Sequence, residues 1–284
     1  MSHILIAGLG DLGSGLAETL LAEGHRVSAI RRGDSCPYGV ELYSQDLTDG
    51  AALLPPDQVD VVVIIMTPGE YSEEGYLKAY VRAPLTLLDA LAQQQPLPPV
   101  VFVSSSAVFG ELQGDVDEVT PPKPTAYNGK VLLAAEEEIS LRAMSTVVRF
   151  TGIYGPGRYR LIDKAARLAR GEEALPAAQW TNRIHRDDCV GLLHSVVTGW
   201  LEGREMPPLV VGTDDVGGRN LDVLQWLAQE QGLTLPVPED TPAGKQVKSL
   251  YIRQGHYRLR YPGYQEGYAQ VLAGRENDSP DPLD

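Results

Sequence analysis

The feature that most constrains this chain is a glycine-rich turn near its start. A G-x-G-x-x-G motif lies between an apolar run at 4–7, predicted as a strand, and a helical leucine spacing at 14–23. The first glycine permits a tight turn, the second lets a diphosphate approach the backbone, and the third lets helix and strand pack closely. We expect a dinucleotide to bind here; the alternative is a turn that binds nothing. The motif consists of Gly8, Leu9, Gly10, Asp11, Leu12 and Gly13.

Apolar runs alternate with helical patterns through the first half of the chain. Strands are predicted over 27–30, 59–66, 100–103 and 146–150, and helices over 76–94 and 130–142. The near-continuous apolar run at 61–65 suits a parallel strand that is covered on both faces. The pattern therefore predicts an α/β fold with a doubly wound parallel sheet of the Rossmann type over residues 1–154.

The pattern loosens in the second half. A Gly/Pro-rich stretch at 155–157 precedes a basic helix over 161–170, and a strand-like run lies at 209–211. We interpret residues 155–275 as a smaller C-terminal substrate lobe with returns to the main sheet. The acidic, proline-rich stretch 276–284 has too little apolar content to pack, so we expect a disordered tail.

Composition limits the class of partner. A formal net charge of -14 argues against broad contact with nucleic-acid phosphates. No run approaches the roughly 18 apolar residues of a membrane span, and the start lacks the pattern of a signal peptide. Cys36 and Cys189 form no CxxC motif, and no cluster has metal-ligand spacing. We expect a cytoplasmic protein that binds small molecules, with no metal, nucleic acid or membrane partner.

Arg31 and Arg32 follow the second predicted strand, where NAD-specific domains place an acid that binds the ribose 2′-hydroxyl. The planar donor fork of arginine matches phosphate oxygens, and two guanidiniums at this point suit a 2′-phosphate. This favours NADP, with NAD as the alternative. One or both arginines facing solvent would weaken the argument, as would the nearby Asp34.

Hydroxyl groups lie at the predicted site of chemistry. Ser104, Ser105 and Ser106 follow the strand at 100–103, and ligands of doubly wound sheets bind at the carboxyl ends of strands. Tyr127 starts a predicted helix that also carries Lys130. A tyrosine becomes a usable acid or base near neutral pH when positive charge lowers its pKa. These residues are therefore the candidate catalytic set.

Taken in order, the motifs resemble those of extended short-chain dehydrogenases/reductases of the NAD(P)-dependent epimerase/dehydratase family, over nearly the full chain. The resemblance implies that Ser105 holds the reacting hydroxyl or carbonyl and that Tyr127 moves the proton, while nicotinamide exchanges a hydride. It also implies a homodimer through helices around 76–94 and 127–142. It places Asp46 and Leu47 near the adenine, and Thr67 and Pro68 beside the ribose. The segments that carry it are Gly8–Gly13, Asp46-Leu47, Ser104–Gly110, Tyr127, Arg149–Gly157 and Asn182–Asp188.

One departure divides the functional hypotheses. Val131 stands where the family has its lysine, and Lys130 comes one residue early, about 100° around the helix. In one hypothesis Lys130 approaches Tyr127 from the other flank and substitutes for the missing lysine, and we expect Asn128-Gly129 to loosen the first turn and help it. The chain is then an oxidoreductase, epimerase or dehydratase acting on a small hydroxyl or carbonyl substrate, such as a nucleotide sugar. Otherwise it is a non-catalytic NAD(P)-binding sensor or interaction protein.

The second half offers weaker candidates. Arg158, Arg160 and Arg183 are expected around the entrance of the lobe, where they bind an anionic substrate or remain solvated. We expect Asp187 or Asp188 to cap a helix over 189–198. His185 in the same segment is interpreted as a packed, hydrogen-bonded histidine, with a catalytic or substrate contact as the alternative.

Overall fold

The computed structural model describes residues 1–49, 52–214 and 216–278, with the side chains of 276–278 excepted. The strands are β1 (His3–Ala7), β2 (Arg26–Arg31), β3 (Glu41–Ser44), β4 (Val61–Ile64), β5 (Val100–Ser105), β6 (Gly114–Val116), β7 (Ser145–Phe150), β8 (Gly152–Tyr154), β9 (Trp180–Thr181), β10 (Arg183–His185), β11 (Leu209–Gly212), β12 (Gly218–Arg219) and β13 (Lys245–Val247).

The α-helices connect these strands. They are α1 (Asp11–Ala22), α2 (Glu73–Tyr76), α3 (Ala83–Gln94), α4 (Tyr127–Arg142), α5 (Arg160–Ala169), α6 (Arg186–Leu201), α7 (Asn220–Glu230), α8 (Leu250–Arg253) and α9 (Tyr264–Asp278). A π-helical segment, Leu77–Arg82, joins α2 to α3, and a 3₁₀ turn, Ser106–Phe109, follows β5.

Within the described residues, seven parallel strands form the central sheet, in the order β3-β2-β1-β4-β5-β7-β11. One face packs against α1 and α6 through residues such as Leu16, Leu20 and Val196. The other face packs against α3 and α4 through Leu88 and Ile139. The predicted doubly wound parallel sheet of an α/β fold is therefore confirmed.

Two strands differ from the sequence pattern. The strand β3 lies at the edge of the sheet, and its residues are half-buried or exposed. The apolar pattern of the sequence therefore does not predict a strand there. The strand β4 ends at Ile64, although apolar residues continue to Met66. Ile65 and Met66 are only half-buried because the chain leaves the sheet there and lines a cleft.

The second half of the chain builds a separate apolar cluster and also rejoins the sheet. Residues of α5, α7 and α9, including Ile162, Leu227 and Val271, pack together in that cluster. The strand β11 pairs with β7 in the main sheet. Of the stretch expected to be a disordered tail, residues 276–278 belong to α9, and residues 279–284 lie outside the described part of the chain.

The described part of the chain shows neither a membrane-spanning helix nor a metal-binding cluster. No helix in these ranges is long and apolar enough to cross a membrane. No group of three or more His, Cys, Asp and Glu residues within them is arranged to hold a metal ion. Cys36 and Cys189 are both free thiols, and Cys189 is buried, so they form no disulfide with each other.

Candidate functional site

The glycine turn joins β1 to α1. Gly8 has a φ of +100°, and a Cβ added to it would lie 1.9 Å from the carbonyl oxygen of Ile65. A Cβ on Gly13 would lie 2.3 Å from the carbonyl oxygen of Gly8, because α1 packs tightly against the turn. Gly10 faces open space, with no atom within 4 Å of an added Cβ. The three glycines thus fit the tight turn, the close packing and the backbone approach that a bound diphosphate requires.

The turn opens onto a cleft of about 600 Å³ at the carboxyl ends of β1, β2 and β4. The strand order reverses between β1 and β4, and open α/β sheets bind ligands at such a point. Of the residues predicted to bind the cofactor, those that line the cleft are Gly8, Gly10, Arg31, Arg32, Asp46, Leu47 and Thr67. Among the described residues, Asp11, Leu12, Gly13 and Pro68 are not part of this lining.

The two arginines after β2 are held differently. The Nη1 of Arg31 donates a hydrogen bond of 2.7 Å to the carbonyl oxygen of Ser35. Arg32 is exposed and reaches toward the loop after β4, where its Nη1 would lie 3.2 Å from a Cβ added to Gly69. Asp34 is exposed and does not belong to the described lining of the cleft. The charges that face this end of the cleft from the β2 side are therefore two guanidiniums.

A third cation, Lys78, also lines the cleft, together with four acidic residues, Asp46, Asp49, Glu70 and Glu74. Lys78 lines the cleft from the π-helical segment, a rare form of helix that is frequent at functional sites. Asp46 accepts hydrogen bonds from the backbone N–H and the hydroxyl of Thr48, at 2.9 and 2.7 Å. These bonds, with Arg32 and Lys78 nearby, lower the pKa of Asp46. No local sequence pattern indicates Lys78, because its position in the cleft depends on how the elements pack.

Ser105 and Tyr127 lie on two elements that contact each other. Ser105 ends β5, and its hydroxyl accepts a hydrogen bond of 3.2 Å from the N–H of Ala107. Tyr127 is the first residue of α4 and is 38% exposed. Its hydroxyl donates a hydrogen bond of 3.0 Å to the carbonyl oxygen of Tyr71, and its ring meets that of Tyr76 edge-on. The Ser105 and Tyr127 hydroxyls therefore bond to different backbone groups and not to each other.

The first turn of α4 is regular, so Asn128-Gly129 does not loosen it. The N–H of Lys130 donates to the carbonyl oxygen of Ala126 at 3.1 Å. Gly129 is buried, and a Cβ on it would lie 2.6 Å from the carbonyl oxygen of Ala107. The glycine thus lets α4 press against the turn that follows β5. The side chain of Lys130 is exposed, whereas Val131 is buried.

The three arginines expected at the entrance of the lobe have different surroundings. Arg158 pairs with Asp11 of the glycine turn, at 2.8 Å. Arg160 is exposed at the start of α5. Arg183 is buried and donates a hydrogen bond of 2.7 Å to the hydroxyl of Thr181. The contact between Arg158 and Asp11 joins segments far apart in the chain, and no local pattern predicts it.

The residue that caps α6 is His185, and the predicted caps Asp187 and Asp188 are wrong. The Nδ1 of His185 accepts a hydrogen bond of 3.2 Å from the N–H of Asp187, and the helix begins at Arg186. Asp188 is fully buried and accepts from the hydroxyl of Tyr257 at 2.9 Å. His185 is itself completely buried, which agrees with a packed, hydrogen-bonded histidine.

Comparisons with known proteins agree with this fold. A model of the NAD dependent epimerase/dehydratase family matches residues 4–203. Protein YeeZ of Escherichia coli K12 is 31% identical over 206 residues, which cover 68% of this chain and 72% of YeeZ. The segment that the family model matches, residues 4–203, contains the glycine turn, the end of β5 and the start of α4.

Solved structures cover almost the whole chain. A candidate NAD-dependent epimerase/dehydratase from Methylobacillus flagellatus is 34% identical and superposes with a TM-score of 0.82, over 97% of this chain and 99% of that one. MoeE5, solved in complex with UDP-glucuronic acid and NAD, is 22% identical, with a TM-score of 0.76 over 97% of this chain and 99% of its own. At that identity, MoeE5 shows a shared fold.

Proposed function

Since the chain belongs to the NAD-dependent epimerase/dehydratase family, we propose that it is an NADP-preferring enzyme acting on a small hydroxyl or carbonyl compound. The observation that carries the proposal is the glycine turn that opens onto a cleft bordered by Arg31, Arg32 and Lys78. A bound nicotinamide supplies or accepts a hydride. The positively charged guanidiniums of Arg31 and Arg32 bind the 2′-phosphate of NADP, a group that NAD lacks.

The proposed catalytic residues are Ser105 and Tyr127, and we add to them Lys130, which is exposed on the other flank of the regular first turn of α4. The Ser105 hydroxyl holds the substrate oxygen, and the Tyr127 hydroxyl donates or removes its proton. In the structure, the Tyr127 hydroxyl donates a hydrogen bond to the carbonyl oxygen of Tyr71, which lies on the loop after β4. A substrate oxygen replaces that carbonyl as the partner of Tyr127, so we expect this loop to adjust when substrate binds.

The proposed substrate class is a nucleotide sugar or a similar hydroxyl compound, and residues 155–275 form the lobe that binds it. Support comes from MoeE5, which shares the fold and was solved with UDP-glucuronic acid. The lobe has its own apolar cluster, built around Ile162, Leu224 and Tyr268. It rejoins the sheet through β11, so it stands against the domain that carries Ser105.

Turnover of a panel of carbonyl compounds and nucleotide sugars with NADPH tests the catalytic assignment. We expect Tyr127→Phe to lower kcat by about 100-fold or more, since a positioned proton donor contributes factors of that order. Tyr71→Phe is the matched control, because Tyr71 acts through its backbone carbonyl, which the substitution keeps. Equal rates for the wild type and Tyr127→Phe would show that this acid/base assignment is wrong.

The second candidate function is a non-catalytic NADP-binding sensor. The observation in its favour is that Val131 is buried at the position of the family's lysine, while Lys130 is exposed. Transfer of deuterium from labelled NADPH to any member of the panel would contradict this function. Tight NADPH binding, with no transfer to any of them, would favour it over the enzyme.

We also propose a homodimer that forms through α3 and α4. Leu141, in the last turn of α4, and Met144, just after that helix, are 83% and 67% exposed, and a second copy packed on α4 would cover them. Sedimentation velocity is expected to give a dimer, and Leu141→Glu with Met144→Glu a monomer. A monomeric wild type at micromolar concentration would contradict the dimer.

A further inference from the structure

Two arginines from distant parts of the chain meet at Asp11, the residue after the second glycine of the turn. The Nη2 of Arg158 lies 2.8 Å from one oxygen of the Asp11 carboxylate. The Nε of Arg186 lies 2.8 Å from the other, and its Nη2 donates a hydrogen bond of 3.0 Å to the Asp11 carbonyl oxygen. The second half of the chain therefore delivers two guanidiniums to the first turn of α1.

The backbone around Arg186 makes room for this arrangement. A Cβ on Gly15, in α1, would lie 2.6 Å from the Nη2 of Arg186. A Cβ on Gly155 would lie 2.8 Å from the Cβ of Arg186, and Gly155 has a φ of +150°. Glycine at both positions lets Arg186 lie across α1 and lets the 155–157 loop bring Arg158 beside it.

The two guanidiniums differ in the donors that remain. Arg186 uses Nε and Nη2 on Asp11, and its Nη1 pairs with Asp187 at 3.1 Å. Arg158 pairs through Nη2, and within the described residues its Nε and Nη1 have no partner. The Arg158 side chain is 35% exposed, compared with 25% for Arg186. Arg158 is thus the cation of this group that has donors left for a ligand.

The pairing of Asp11 with the two arginines changes the charge next to the glycine turn. A dinucleotide diphosphate carries two negative charges and approaches the N–H groups at the start of α1. A lone Asp11 carboxylate beside it would repel it. Arg158 and Arg186 pair with Asp11, and Arg186 also pairs with Asp187, so the two arginines balance the two carboxylates and Asp11 no longer repels the anion.

We propose that Arg158 binds the diphosphate of the dinucleotide, as a cofactor ligand supplied by the second half of the chain. This inference rests on the proposed function, because it assumes that the turn binds NADP. Arg158 donates through Nε or Nη1 to a diphosphate oxygen. The ion pair with Asp11 holds its side chain at the turn. A bound cofactor therefore ties the 155–157 loop to α1 as well as filling the cleft.

Binding measurements with two ligands test the proposal. NADPH carries both the diphosphate and the 2′-phosphate, whereas 2′-AMP carries the 2′-phosphate alone. We expect Arg158→Ala to weaken NADPH binding by roughly tenfold or more, as loss of one charge-assisted hydrogen bond does. Binding of 2′-AMP is expected to stay unchanged. Arg160→Ala, which removes an exposed charge two residues away, controls for a general charge effect.

The outcomes separate this inference from the function on which it rests. Equal NADPH affinity for the wild type and Arg158→Ala would overturn the inference and leave the proposed function standing. Equal weakening by Arg158→Ala and Arg160→Ala would also overturn it, because long-range charge would then explain the loss. A wild type that binds neither NADPH nor NADH would overturn both. Thermal melting confirms that each variant is folded.

Discussion

Arg149 and Glu136 form an ion pair of 2.6 Å in which both side chains are more than 90% buried. Ser104, next to the proposed catalytic Ser105, donates its hydroxyl to the same carboxylate. The pair therefore anchors α4 to the ends of β5 and β7 beneath the site. Removing one partner of a buried pair leaves an uncompensated charge, so we expect Glu136→Ala to lower the free energy of unfolding by about 3–5 kcal/mol.

Urea denaturation of the purified variants measures this change. Glu137→Ala is the matched control, because Glu137 is the next residue on α4 and is exposed. It is expected to change stability by about 0.5 kcal/mol or less. Similar stabilities for the two variants would show that the buried pair does not hold these elements together.

Gly10 and Gly13 are expected to respond differently to alanine. Gly10 has a φ of -85° and open space around it, so Gly10→Ala should keep the stability of the fold while its methyl group blocks the approach of a diphosphate. Gly13→Ala places a methyl against the Gly8 carbonyl and should cost about 1–3 kcal/mol. Melting and NADPH titration of both variants test this. Unchanged NADPH affinity in Gly10→Ala would contradict a diphosphate at the turn.

The imidazole of His185 links stability to pH. Burial lowers its pKa below the ordinary value of 6.5. The unfolded chain therefore takes up a proton at this imidazole more readily than the folded chain does. The contribution of neutral His185 to the free energy of unfolding is complete above about pH 6.5 and is lost as the pH falls toward the pKa of the folded state. Protonation also removes Nδ1 as the acceptor for the N–H of Asp187.

We expect His185→Asn to reduce the loss of stability between pH 7.5 and 5.5, because asparagine caps a helix without titrating. Unfolding by urea at the two pH values measures the difference. His256→Asn, at an exposed histidine, is the control for the loss of an imidazole that caps no helix. An unchanged pH dependence in His185→Asn would place the titrating group elsewhere.

Arg32 and Arg31 should contribute unequally to cofactor preference. Arg32 is exposed at the cleft, whereas Arg31 already donates to the carbonyl oxygen of Ser35. Arg32→Ala is expected to weaken NADPH binding by roughly 10- to 100-fold, the range for charge-assisted hydrogen bonds, and to spare NADH. Arg31→Ala should have a smaller effect. Isothermal titration with both cofactors measures this, and an equal loss of NADH and NADPH would argue against a 2′-phosphate contact.

Local patterns predicted the parts of the fold that local forces determine. The apolar runs of β1, β2, β5 and β7 predicted these strands to within two residues, because buried parallel strands need continuous apolar side chains. The edge strand β3 buries little, and its polar residues resemble a loop. The glycine turn was recognisable because its three glycines meet steric demands that arise within one βα unit.

Contacts between distant segments could not be predicted in the same way. The pairing of Asp11 with Arg158 and the place of Lys78 in the cleft depend on how the sheet and the lobe assemble. The cap of α6 was assigned to an aspartate because carboxylates are common caps, whereas the buried neutral imidazole of His185 performs that role. The spacing of apolar residues along the sequence cannot predict whether a buried imidazole is neutral.

Binding of reduced cofactors to the purified wild type tests the central claim most directly. Protein fluorescence and nicotinamide emission are followed during titration with NADPH and, separately, with NADH. We predict tight binding of NADPH and much weaker binding of NADH, because the cleft joins the glycine turn to Arg31, Arg32 and Lys78. Binding of neither, with the oxidised forms also negative, would contradict the account.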